Sequence, residues 1–142
     1  MRSFLLTIFV LLISSTIAQA DYTTKNVYKF ENSDMIKNHD GSNIVNASGV
    51  GIAEDSNGNK SVLKCLVNIS NGMLSGHCQS TDQDGDVEYT AISRDMSKGP
   101  QGTFTRTGGT GKYANTGVTC EYVVELTDFQ VGVGYLTATC KE

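Results

Sequence analysis

The chain has no tryptophan, a single proline and no C-x-x-C pair, and these absences narrow what it can be. Without C-x-x-C there is neither a zinc ribbon nor a redox-active dithiol motif. Beyond the first 20 residues no apolar run approaches the roughly 20 residues that a helix needs to cross a bilayer, so no membrane span is expected in the mature protein. No window sustains a 3.6-residue apolar period; Met35-Ile36 is read as a short helical turn at most. Basic residues are also scarce: 11 Lys and Arg against 15 Asp and Glu leave a formal charge of −4. Nucleic acid calls for a basic face that replaces phosphate counterions, so it is not an expected partner.

What is present begins with a targeting segment. Arg2 supplies a positive charge, residues 4–13 are apolar apart from Thr7, and the next residues turn small and polar, ending in Ala18-Gln19-Ala20. That is the A-x-A pattern of a signal-peptidase site. Residues 1–20 are therefore read as a signal peptide cut between Ala20 and Asp21, and residues 21–142 as a single domain, secreted or periplasmic. Loss of Arg2 moves the formal charge from −4 to −5.

Four cysteines, Cys65, Cys78, Cys120 and Cys140, fall in the mature part. An even number in an exported chain favours disulfides. The mature sequence breaks into short alternating runs, read as strands over 22–30, 44–53, 61–70, 73–80, 87–93, 102–107, 117–127 and 132–140. Clusters of Gly, Asn, Asp and Ser separate them, the signature of a sandwich or barrel. Asn71-Gly72 is the strongest local signal, because Asn-Gly suits the left-handed backbone of a type I′ hairpin. With those two residues as the loop, opposing positions sum to 143 and Cys78 faces Cys65 at a non-hydrogen-bonded site, where α-carbons approach to about 4.5 Å. A loop centred on Gln130 likewise sets Cys140 opposite Cys120. Two disulfides, each within one hairpin, are the expectation.

The apolar faces of these hairpins carry Leu63, Val67, Ile69 and Leu74 in one, and Tyr122, Val124 and Leu126 in the other. Closing the sheet would turn them inward and remove its edges. Eight strands enclose an interior just wide enough for side chains or one small ligand.

Catalytic and metal-binding candidates are sparse. The glycine run over 108–112 does not match G-x-x-x-x-G-K-[ST] and has no helix behind it, so it is read as backbone geometry, with glycines at positive φ in a corner. Asp82, Asp84 and Asp86 lack the Gly and Glu positions of an EF-hand and read as an acidic turn. His39 and His77 have no metal-like partner nearby, and His77 is expected on the exposed face opposite Leu66. Asn46-Ala47-Ser48 and Asn68-Ile69-Ser70 fit the glycosylation sequon. No catalytic, cofactor or metal residue is assigned, and no cofactor is expected.

Thr107-Gly108-Gly109-Thr110-Gly111-Lys112-Tyr113 resembles the T/V-G-G-T/S-G-x-F/Y element of the allene oxide cyclase barrel-like family and, more distantly, of dirigent proteins. Asn26-Val27-Tyr28 is similar to the N-V-Y of the first cyclase strand, and Gly76-His77-Cys78 followed by Asp82–Asp86 resembles exported bacterial members. The resemblance implies an all-β, eight-stranded antiparallel barrel related to lipocalins, with Asn26 and Tyr28 joining the apolar residues above in the lumen. Of the cyclase lumen residues only Asn26 and Cys65 have counterparts here. Thr24 stands where the plant enzymes carry a Glu, and Thr103-Phe104 where they carry a Tyr. The leading expectation is a non-enzymatic module for a small apolar molecule; the alternatives are a lumen isomerase of the cyclase type and a surface protein with a filled core. A cavity separates the last from the others.

Overall fold

Asn71 and Gly72 both take positive φ, 52° and 76°, as the two-residue type I′ turn requires. The strands that they join pair in the expected register, from Ser70↔Met73 through Cys65↔Cys78. The computed structural model describes residues 21–141; the signal-peptide reading, with Ala20, lies outside them. Eight strands follow in chain order: β1 (Tyr22–Lys37), β2 (Asn43–Asp55), β3 (Lys60–Ser70), β4 (Met73–Asp82), β5 (Val87–Asp95), β6 (Gln101–Gly109), β7 (Thr119–Asp128) and β8 (Val133–Lys141). Each pairs antiparallel with its sequence neighbours, and β1 with β8 closes the sheet into a barrel. Both disulfides form as expected, Cys65–Cys78 with α-carbons 4.1 Å apart and Cys120–Cys140 with α-carbons 3.9 Å apart.

Two departures from the sequence reading have local causes. β1 does not stop at residue 30: it passes a bulge between Phe30 and Asn32 and pairs with β2 as far as Lys37↔Asn43. Met35 and Ile36, read as a helical turn, are strand residues opposite Val45 and Ile44, apolar cross-strand pairs of the kind that stabilise a sheet. Because β8 covers β1 only over Tyr22–Lys29, the rest of that hairpin extends past the β1–β8 seam. The second departure is a bulge between Val124 and Leu126. Up to it, Cys120, Tyr122 and Val124 face Cys140, Ala138 and Leu136; beyond it Leu126 pairs with Tyr135. A one-residue slip moves side chains to the other face of a strand, and Leu126 is 69% exposed on the outside instead of lining the lumen.

The best-packed part of the core lies against the closing strands: Val118, Cys120, Tyr122, Leu136, Ala138 and Cys140 are buried together, with Tyr28, Ile92 and Phe104 packed on them. Aromatic rings fit there because the strand beside them presents glycine. Tyr28 lies over Gly134 across β1–β8, and Tyr122 over Gly102 across β6–β7.

Candidate functional site: the barrel lumen

Side chains alternate in and out along every strand, and the inward set encloses a cavity of about 270 Å³. Its wall is apolar over most of its height, with Leu63, Val67, Ile92, Phe104, Tyr122 and Leu136 among the contributors. Both disulfides belong to this wall as well. Phe104 and Tyr122 stack with centroids 5.3 Å apart and planes inclined at 15°. Of the lumen residues named from sequence, Asn26, Tyr28, Leu63, Val67, Ile69, Leu74, Tyr122 and Val124 all line the cavity. Leu126, turned out by the bulge, does not.

One end of the lumen is polar. Arg106 on β6, only 3% exposed, donates from Nε to Glu88 Oε1 on β5 at 2.6 Å and from a terminal nitrogen to Tyr22 Oη on β1 at 3.1 Å. Its guanidinium also lies over the Tyr113 ring, 5.1 Å from the centroid. Asn26, buried on β1 and also lining the cavity, donates to Thr24 Oγ1 at 2.8 Å. A buried charge is tolerated when it is paired and hydrogen-bonded, and Arg106 meets both conditions. Sequence reasoning missed this group because it depends on contacts across strands. Strand alternation did hold a clue, since Arg106 shares a face with Phe104, and Glu88 with Thr90 and Ile92.

Beyond that group the same end is closed by a second polar cluster. Asp82 Oδ1 accepts the N–H groups of Asp84 and Asp86, at 2.9 and 3.0 Å, which shapes the β4–β5 turn. Lys112, in the β6–β7 connection, places Nζ 2.8 Å from Asp82 Oδ2 and 2.7 Å from Asp84 Oδ2, and donates to Asn59 Oδ1 at 3.1 Å. One ammonium therefore ties three connections together. Burial would raise the Asp82 carboxyl, but the Lys112 ammonium and the two backbone donors outweigh it and hold the group below the ordinary carboxylate range. The hydrogen bonds that Lys112 makes to Asp82 and Asp84 push it upward. The acidic triplet is thus the turn that sequence indicated, with a lysine seated among its carboxylates.

Within the glycine run only Gly111 has positive φ, 50°. Gly109 is needed for closeness instead, since a β-carbon there would sit 2.5 Å from the Val87 carbonyl oxygen and 2.6 Å from Tyr113 Cβ. The corner reading therefore holds for Gly111 and is replaced by packing at Gly109.

Chemically the lumen offers a hydrogen-bonding group at one end and mainly dispersion contacts along the rest, with Arg94 and Thr127 also on its wall toward the other end. Burial pushes the Tyr122 phenol up to about 12 and raises Tyr113, with Asp82 adding to the effect, so both are neutral donors at physiological pH. All four cysteines are spent in disulfides. His39 lies in the β1–β2 turn, and His77, opposite Leu66, is exposed outside the wall.

The fold has a solved counterpart. The structure of the pterocarpan synthase dirigent protein GePTS1 superposes with a TM-score of 0.60, covering 98% of this chain and 96% of that one. Identity is 9%, so the likeness is one of fold: this is a dirigent-like eight-stranded barrel. No family model matches the chain, and no curated protein does.

Proposed function

We propose that this protein is an exported, non-enzymatic barrel of the dirigent and allene oxide cyclase type that holds a small, mainly apolar molecule in its lumen. The observation that carries the reading is the cavity of about 270 Å³ with an apolar wall and a polar end. Such a combination buries an apolar body and orients it by a few convergent polar groups. A filled core would leave no such space. The disulfides fit an oxidising compartment, and N-terminal sequencing of exported protein is expected to begin at Asp21.

The isomerase alternative needs a lumen carboxylate able to stabilise a developing cation. At the expected position stands Thr24, whose hydroxyl carries no negative charge. The carboxylate that β5 does bring in, Glu88, is paired with Arg106. Incubation with the allene oxide should therefore give the spontaneous racemate, and strong enrichment of one enantiomer would reverse the order of the two readings.

The direct test is mass spectrometry of lipophilic material that copurifies with the mature protein, followed by titration with a fluorescent apolar probe. Leu63→Trp, which fills the cavity, should weaken probe binding by about tenfold or more, equivalent to about 1.4 kcal/mol. Unchanged binding in that variant would reject the lumen as the site.

A further inference from the structure

We infer that the apolar end of the barrel docks on an uncharged lipid surface, so that the lumen exchanges its ligand with the lipid and not with water. This builds on the binding role proposed above, which supplies the purpose of docking, while the docking itself is measured without a lumen ligand. The two ends of the barrel differ in kind. At the polar end the connections carry Asp55, Asp82, Asp84 and Asp86 against Lys60 and Lys112, and Lys112 bridges them. At the other end the β1–β2 hairpin exposes Met35 and Ile36, the β3–β4 turn Met73, the β5–β6 connection Met96, and the β7–β8 turn Phe129 and Val131.

Separate chain segments thus present large apolar side chains around one opening. Single exposed apolar residues are ordinary, but a group of them on one face marks an interaction site. Two of these residues connect the surface to the lumen. Phe129, 86% exposed, and Met96 both line the cavity as well. An apolar molecule passing them would meet Met96 and Phe129 beside Arg94 and Thr127, whereas the opposite end would lead it past Arg106, Glu88 and the Lys112 cluster.

Charge decides the kind of surface. Around the apolar end stand Lys37, Arg94 and Lys98 against Glu31, Asp34, Asp40, Asp95 and Asp128, a net charge of −2, with Lys98 and Asp95 paired at 3.3 Å. There is no basic excess to draw an anionic membrane, and the small acidic excess would be repelled by one. The chemistry fits a zwitterionic bilayer, entered by the side chains of several turns in the manner of an interfacial anchor.

The experiment is cosedimentation of the mature protein with phosphatidylcholine vesicles. Association is expected, and it should change little between about 0.05 and 0.5 M salt, because screening acts on charges and not on apolar burial. The variant Ile36→Asp/Val131→Asp, altered at the rim but outside the cavity wall, should weaken association by about tenfold or more, each tenfold being about 1.4 kcal/mol. Leu66→Asp, on the exposed outer wall of the barrel, should leave it unchanged. Binding of N-phenyl-1-naphthylamine, measured without vesicles, should be the same in all three proteins. Absence of vesicle association in the unmodified protein would overturn the inference, as would association that high salt abolishes or that the rim variant retains. Self-association of the protein that the rim variant abolishes, in place of vesicle binding, would assign this end to a second copy and overturn it too. Loss of probe binding alone, with docking intact, would strike the proposed lumen function instead.

Discussion

The ring of Tyr122 on β7 occupies the space that a β-carbon at position 102 on β6 would need. Tyr122 is almost fully buried and stacks on Phe104, so the ring cannot withdraw without opening the core. Gly102→Ala should therefore destabilise the barrel by about 1–3 kcal/mol, the usual cost of overpacking. Gly108→Ala, with nothing within 4 Å of the new carbon, should stay within about 0.5 kcal/mol of the parent. Denaturant titration of the pair checks both, and an unaffected Gly102→Ala would mean that Tyr122 has another place to go.

The Arg106–Glu88 pair should behave as a unit. Arg106→Met strands the Glu88 carboxylate at the polar end of the lumen and is expected to cost about 3–5 kcal/mol, as breaking a buried pair does. Replacing both, Arg106→Met with Glu88→Gln, should recover a large part of that loss. A double-mutant cycle in urea measures the coupling, and additive losses would show that the two side chains are held independently.

The Lys112 cluster predicts a pH dependence. Asp82 titrates lower when folded than its ordinary value of 3.8, so its stabilisation is fully present above that value and is lost as pH falls through the folded one. Lys112 titrates higher when folded, so its share persists through neutral pH and fades only at strongly alkaline pH. Lys112→Met should lower the melting temperature at pH 7. The gap to the parent should shrink as the pH is brought below about 4. A gap constant from pH 7 to pH 3 would contradict the assignment.

Peptide mapping without reduction should recover Cys65–Cys78 and Cys120–Cys140. By the loop-entropy model each bridge contributes about 3 kcal/mol, and removing the second should cost more, since Cys140 is fully buried and its loss also leaves a gap in the core. Unfolding of the two double Cys→Ala variants compares them. Equal losses would argue that chain constraint alone matters.

Much of this architecture was legible in the residues because it is local. Asn71-Gly72 set a register, the register aligned Cys65 with Cys78, and alternation then placed Leu63, Val67 and Leu74 on the lumen face. Legibility stopped where a single residue broke the period. The bulge before Leu126 has no glycine or proline to announce it, and it sent Leu126 outward. The far half of β1 escaped for a related reason: residues 31–37 are polar except for Met35-Ile36, and only pairing with β2 makes them a strand. Arg106–Glu88 and Lys112–Asp82 join side chains 18 and 30 positions apart. Their partners are set by barrel closure and not by spacing along the chain.

Barrel closure also makes the two ends of the barrel segment neighbours. Tyr22 lies directly across from Cys140, so the β1–β8 seam is a hairpin that lacks only its connecting loop. A circular permutant that joins the ends through a short flexible linker and opens the chain at Gly41, in an exposed turn where the β-carbon of any residue would meet nothing within 4 Å, keeps every strand pairing. Built on residues 21–141, it should fold to the same barrel, with the joined ends forming one more turn at the polar end.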